Sequence, residues 1–217
     1  AAGKEIICAG KVAALLLAGG QGTRLGYDGP KGTMDIGLTH PLYIFECLIR
    51  NLQEVCAACD AVVPLYIMTS DKTDERTRTF LKEHDYFGYP QEAVRFFLQD
   101  MAPATDFDGK ILLEGKGRLA LSPNGNGGCF SSLRRSGLWE EAAARGVEWF
   151  NVFAVDNVLQ RIADPVFVGA TALAGVNCGA KFVRKCDPHE RVGVLCLRGG
   201  VPDVVEYYEL SEEMANV

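Results

Sequence analysis

The sequence has no excess of positive charge: its 22 Lys and Arg stand against 28 Asp and Glu, for a net charge of −6. A nucleic-acid-binding protein carries a broad basic surface, so no nucleic-acid partner is expected, and local basic residues must serve local purposes. Long apolar runs are missing too. None approaches the roughly 20 residues of a membrane span. The first residues show no basic stretch leading into an apolar core and a cleavage site, so the chain reads as cytoplasmic, with no membrane partner. Histidine is scarce, and His40, His84 and His189 stand outside every motif, so no catalytic histidine is expected. The 8 cysteines are scattered among apolar neighbours and make no tight framework, which fits a reducing compartment. Cys56 and Cys59 form a C-x-x-C pair with no second pair or nearby histidine. They lie at helical spacing from Ile49 and Leu52 and read as small hydrophobes, not zinc ligands. Internal repeats and low-complexity linkers are absent.

What is present is 217 residues, 48% hydrophobic and 23% charged, enough for one globular domain with a substantial core. Its organising stretch runs from Val12 to Lys31. An apolar run from Val12 to Leu17, short enough for a buried strand, breaks into a loop carrying Gly19, Gly20, Gly22 and Gly26. Glycine leaves no Cβ to hold an anion away, so successive amides can turn inward, while Arg24 and Lys31 add positive charge. The same glycines also suit a plain turn. Gly22 leads into Thr23-Arg24-Leu25, not Gly-Lys-Ser/Thr, which disfavours a P-loop; Gly26 comes four residues after Gly22, one too many for a dinucleotide fingerprint.

Along the rest of the chain, strand and helix patterns alternate. The first ten residues carry little pattern. Pro41 is expected to open a helix reaching Cys59. Val62 to Met68 reads as a buried strand, Asp74 to His84 as a helix capped by Thr73 or Asp74, and Val94 to Leu98 as a third strand ending at Gln99. Ile111 to Leu113 and Arg118 to Leu121 suggest a hairpin. Ser122 to Gly128 is a glycine-asparagine loop before a helix from Phe130 to Ala144. Val147 to Val155 reads as a strand ending at Asp156-Asn157. Asp164-Pro165 opens a helix to Ala174, and strands follow near 178–183, 192–197 and 204–208.

Several motifs together resemble one family. Leu17-Ala-Gly-Gly-Gln-Gly-Thr-Arg-Leu-Gly26 with Pro30-Lys31-Gly32 is similar to the signature of the eukaryotic-type UDP-N-acetylglucosamine pyrophosphorylases. Phe107-Asp-Gly-Lys110, Gly125-Asn-Gly-Gly128, Val155-Asp-Asn157, Cys178-Gly-Ala-Lys181, Val192-Gly-Val194 and Val204-Val-Glu-Tyr207 continue the resemblance in the same order. It implies an α/β fold with a mixed, mostly parallel sheet and helices on both faces, as in nucleotide-sugar transferases. It also implies that residues 1–217 are one catalytic domain, incomplete at both ends, whose usual first helical segment is absent.

The resemblance implies that UTP and N-acetylglucosamine 1-phosphate are joined to give UDP-N-acetylglucosamine and pyrophosphate. Arg24 and Lys31 would be catalytic. Leu17, Ala18, Gly19, Gly20, Gln99, Gly125 and Asp156 would bind nucleotide, with Gln99 reading the uracil. Asn126, Gly193, Glu206 and Tyr207 would bind the sugar, and Asp156 would hold a magnesium ion. The residues alone leave alternatives open: Gln99 can tie down a loop, Asp156 can cap a helix, and Glu206 can be an exposed strand residue. A pyrophosphorylase for another sugar 1-phosphate, or a UDP-sugar-binding module without catalysis, remain as rival functions. Asn124 departs from the family's usual aspartate.

Overall fold

The computed structural model describes residues 1–215, leaving aside the side chains of Arg24 and Ala215. Contacts divide it into two units, 1–175 and 176–217. In the first, the apolar run forms β1 (Val12–Leu17), essentially closed to solvent. Before it, residues expected to be patternless form α1 (Ala2–Cys8). This corrects the expectation that the first ten residues carry little pattern. The local signal is thin because the helix is held by a distant partner: a methyl on Gly3 would stand 1.7 Å from the Pro165 carbonyl oxygen.

Next comes α2 (Ile44–Cys59), which starts later than Pro41 predicts. Asp35 accepts hydrogen bonds from the Gly37 and Leu42 amides, and Asp35 bridges Tyr43 antiparallel, so residues 41–43 are extended. β2 (Leu65–Thr69), α3 (Asp74–Glu83) and β3 (Val94–Leu98) follow close to expectation. The α3 cap differs: Thr73 Oγ1 accepts from the Ser70 amide and Asp74 accepts from the Thr69 hydroxyl, so neither side chain caps the helix. The single expected hairpin is two small sheets. β4 (Met101–Pro103) pairs with β7 (Leu121–Pro123), and β5 (Leu113–Gly115) pairs with β6 (Arg118–Leu119).

The expected helix from 130 to 144 is broken into α4 (Cys129–Arg135) and α5 (Leu138–Ala144) by Gly137, whose φ of 77° is left-handed. β8 (Trp149–Ala154) and α6 (Pro165–Leu173) complete the unit, with Asp164 capping α6 through the Val166 amide at 3.1 Å.

The main sheet is four-stranded, in the order β3-β2-β1-β8, and every pairing is parallel. Alternation along β1 sends Ala14 and Leu16 to one face, where α2 packs Phe45, Leu48 and Leu52. Ala13 and Leu15 go to the other, against Leu133 of α4 and Ala142 of α5. Helices on both faces explain why β1 and β2 read as continuous apolar runs. The register sets Leu17 beside Met68 and Ala154, and Thr69 beside Leu98. The four carboxyl ends therefore finish together.

In the second unit, residues 178–183 form no strand, contrary to expectation. β9 (Val194–Arg198) and β10 (Val201–Val205) instead form an antiparallel hairpin. It turns on Gly199 and Gly200, both at positive φ as such a two-residue turn requires. Residues 206–208, expected in a strand, leave it: Tyr207–Glu209 is a 3-10 turn, followed by α7 (Glu212–Ala215).

Candidate active site

The carboxyl edge of a parallel sheet is where ligands settle, because strands end there in loops free to vary. Here that edge gathers Ala18 to Gly20 after β1, Ser70 after β2, Gln99 after β3 and Asp156 after β8. The Ala18 amide is used by the fold, donating to Met68 O at 2.8 Å. The Gly19 and Gly20 amides have no acceptor among the described residues. The expected amide cradle thus narrows to those two. Ser70, which the sequence reading does not single out, fixes this loop by donating its hydroxyl to the Gly19 carbonyl at 2.9 Å. Its position at a strand's carboxyl end is the signal that could have found it.

Gly19 is also where Gln99 lies. A methyl at Gly19 would approach Gln99 Oε1 to 2.5 Å, so glycine is required for the amide to lie against the loop. That amide makes only a 4.0 Å contact to Met101 Sδ among the described residues, leaving its donor and acceptor available to a partner with an imide edge. Its neighbour Asp100 joins this corner to the glycine-asparagine loop. The Asp100 amide donates to Ser132 Oγ at 3.1 Å, its carbonyl accepts from the Asn124 amide at 3.0 Å, and its carboxylate accepts from Arg135 and Ser131. Sequence reasoning missed Asp100. Gly125 follows with φ 77° and ψ 165°, a backbone region that only glycine occupies comfortably. Gly125 and Asn126 are exposed.

At the other end of the glycine run, Lys31 lies beside Gly20: a methyl there would meet Lys31 Cε at 3.6 Å. The Lys31 amide donates to Gly20 O at 3.3 Å. Its ammonium reaches across to Asp156, 2.9 Å from Oδ2 and 2.9 Å from Oδ1. Residues 125 positions apart thus meet at the strand edge. Asp156 is not a helix cap. Its side chain is 60% exposed and that of Lys31 22%, so the pair is accessible and screened, and adds little to stability. Arg24 lies in the 3-10 turn Thr23–Leu25; its side chain is outside what the structure describes. Leu17, the last residue of β1, contributes packing and register.

No group of three or more His, Cys, Asp or Glu side chains among the described residues could hold a metal by itself. Asp156 alone fits magnesium in one way only: as a single carboxylate ligand where phosphate oxygens and water complete the shell.

In the second unit, described by itself, Gly193 and Glu206 meet at the open end of the β9–β10 hairpin. A methyl on Gly193 would stand 3.6 Å from Glu206 Oε1 and 2.9 Å from Val204 Cγ1. The Glu206 amide donates to the Glu209 carboxylate at 3.1 Å. The Tyr207 ring stands edge-on to Tyr208, with centroids 5.3 Å apart.

The chain is similar to known proteins over nearly its whole length. Mouse (Mus musculus) UDP-N-acetylhexosamine pyrophosphorylase-like protein 1 is 46% identical over 211 residues, covering 94% of this chain and 42% of that protein. Saccharomyces cerevisiae UDP-N-acetylglucosamine pyrophosphorylase is 43% identical over 218 residues, covering 98% of this chain and 46% of its own length. The crystal structure of the Trypanosoma brucei UDP-N-acetylglucosamine pyrophosphorylase in complex with inhibitor superposes with a TM-score of 0.89. It is 34% identical, covering 96% of this chain and 44% of that one. The chain therefore spans less than half the length of these relatives. The family model described as UTP--glucose-1-phosphate uridylyltransferase matches residues 2–217, nearly the whole chain, and this protein belongs to that family.

Proposed function

We propose that this chain is the nucleotide-binding part of a cytoplasmic uridylyltransferase. The enzyme would join UTP and N-acetylglucosamine 1-phosphate into UDP-N-acetylglucosamine, with release of pyrophosphate. One observation carries the reading: a single glycine run has the side-chain amide of Gln99 at one end and the Lys31–Asp156 pair at the other. Those are the chemistries a uracil and a polyphosphate need. The choice of N-acetylglucosamine rests on the names of the yeast and trypanosome relatives.

In the reaction, a sugar-phosphate oxygen forms a bond to the α-phosphorus of UTP while the bond to the β-phosphate bridging oxygen breaks, releasing pyrophosphate. The protein's work is positioning two anions and neutralising charge. Gln99 would pair with the uracil, Gly125 would let backbone approach the nucleoside, and Asn126 would face the sugar. In the second unit, taken by itself, Gly193, Glu206 and Tyr207 would be sugar-binding residues, with Glu206 accepting from hydroxyls. Arg24 and Lys31 would hold the phosphates, with the Gly19 and Gly20 amides beside them. Asp156 would hold magnesium, which supplies charge neutralisation at the phosphate oxygens. Bound phosphate would compete with Asp156 for the Lys31 ammonium.

The test is pyrophosphate release from UTP with each of three sugar 1-phosphates: N-acetylglucosamine, N-acetylgalactosamine and glucose. N-acetylglucosamine 1-phosphate should be preferred, and Lys31→Met should slow turnover by about a hundredfold to a thousandfold. Undiminished turnover in Lys31→Met would remove its assigned role. A preference for glucose 1-phosphate would move the proposal to that substrate.

A further inference from the structure

The segment joining the glycine run to Lys31 folds back on itself. Lys31 N donates to Gly20 O, Gly22 N donates to Gly29 O at 2.8 Å, and Gln21 bridges Pro30, leaving Arg24 near the tip. Three side chains outside the catalytic set hold it. The Tyr27 ring is wedged between the two arms: methyls at Gly22 and Gly29 would each come within 2.8 Å of it. Its hydroxyl donates to Thr33 Oγ1 at 2.7 Å, and the buried Thr33 hydroxyl donates to Pro30 O at 2.8 Å, next to Lys31. From α3, Arg76 reaches over to donate to the Asp28 carbonyl at 2.7 Å, and its guanidinium stands 3.1 Å from where a Gly29 methyl would be. Residues of the segment and of α3, among them Tyr27, Pro30, Thr33, Arg76 and Phe80, line an open cavity of about 350 Å³. Arg76 thus ties the segment to the helix through a hydrogen bond to its backbone.

We infer that Tyr27, Thr33 and Arg76 form a brace holding the Arg24–Lys31 segment against the strand edge, which makes Tyr27 and Arg76 positioning residues for the triphosphate half of the substrate. The inference rests on the reading of Arg24 and Lys31 as phosphate-binding residues. An unbraced loop with an exposed tip would have to be ordered when the anion arrives, and that ordering would be taken from the binding free energy. The base end, set by Gln99 and Gly125, is built from other elements and does not depend on the brace.

The experiment compares the affinities of UTP and uridine by calorimetry in the 217-residue chain and its Arg76→Ala, Arg76→Lys and Tyr27→Phe variants. Hydrogen exchange of amides 20–31 is read in parallel. Arg76→Ala should weaken UTP about fivefold to tenfold, the scale of one partly exposed charge-assisted hydrogen bond, and leave uridine within about twofold. Arg76→Lys, which can still donate to the Asp28 carbonyl, should recover part of the loss. Exchange should quicken in 20–31 and not in β1 to β3. Tyr27→Phe removes only a hydroxyl and carries the same comparison should Arg76→Ala fail to fold. Equal weakening of UTP and uridine, or unchanged UTP affinity with unchanged exchange, overturns the brace. An unsubstituted chain that binds UTP no more tightly than uridine overturns the phosphate reading, and the brace with it.

Discussion

Residues 12–17 and residues 178–183 both read as strands, yet only the first is one. Val12 to Leu17 has β2 on one side and β8 on the other, with helices over both faces, and nearly all of it is buried. Cys178 to Val183 is exposed throughout, with Val183 at 94%. Side-chain β-preference is mostly a preference for a half-buried, paired surface, so an apolar stretch becomes a strand only where neighbours supply the ladder. The β9–β10 hairpin makes the same point from the other side. It forms because Gly199-Gly200 brings its own partner strand within reach.

The comparison is sharpened most by core truncation. Leu16→Ala, deep between β1 and α2, should cost about 2–5 kcal/mol in urea unfolding. Val183→Ala should change stability by no more than about 0.5 kcal/mol. Equal effects would mean that 178–183 is packed after all. Gly19→Ala comes next. Its methyl would meet the end of a flexible side chain, so the fold should survive while Gln99 is displaced and uridine binding weakens about tenfold. Titration of Gly19→Ala with uridine reads this directly; unchanged affinity would take the base-reading role away from Gln99.

Thiol labelling gives a smaller contrast between the same regions. Burial pushes the Cys59 and Cys129 thiols up, and both are shielded in the first unit. Cys178 and Cys186 of the second unit are exposed. In native protein a thiol reagent at neutral pH should therefore modify Cys178 and Cys186 well before Cys59 and Cys129. The order should collapse in denaturant.

The smallest effect belongs to Asp35. Hydrogen bonds from the Leu42 and Gly37 amides hold its carboxyl below the usual aspartate range. Its contribution is therefore fully present above the ordinary aspartate pKa and is lost as pH falls through the lowered value. Exchange of the Gly37 and Leu42 amides should quicken over that acidic window, and Asp35→Asn should remove the pH dependence.

Much of the candidate site's position at the strand edge was legible because its signals are local. The apolar run into glycines marked β1 and its loop; Gln99 and Asp156 stood where strands end; Asp164-Pro165 announced the start of α6. These features follow from chain stiffness, the freedom of glycine and the proline ring, all of which act within a few residues. The tertiary structure decided the rest. It formed α1 by packing Gly3 against the Pro165 carbonyl, and it held residues 41–43 extended through Asp35. It paired Lys31 with Asp156 and brought Arg76 to Asp28. Contacts between residues 125 and 48 positions apart leave no trace in spacing or periodicity, because only the packing of strands and helices brings those positions together.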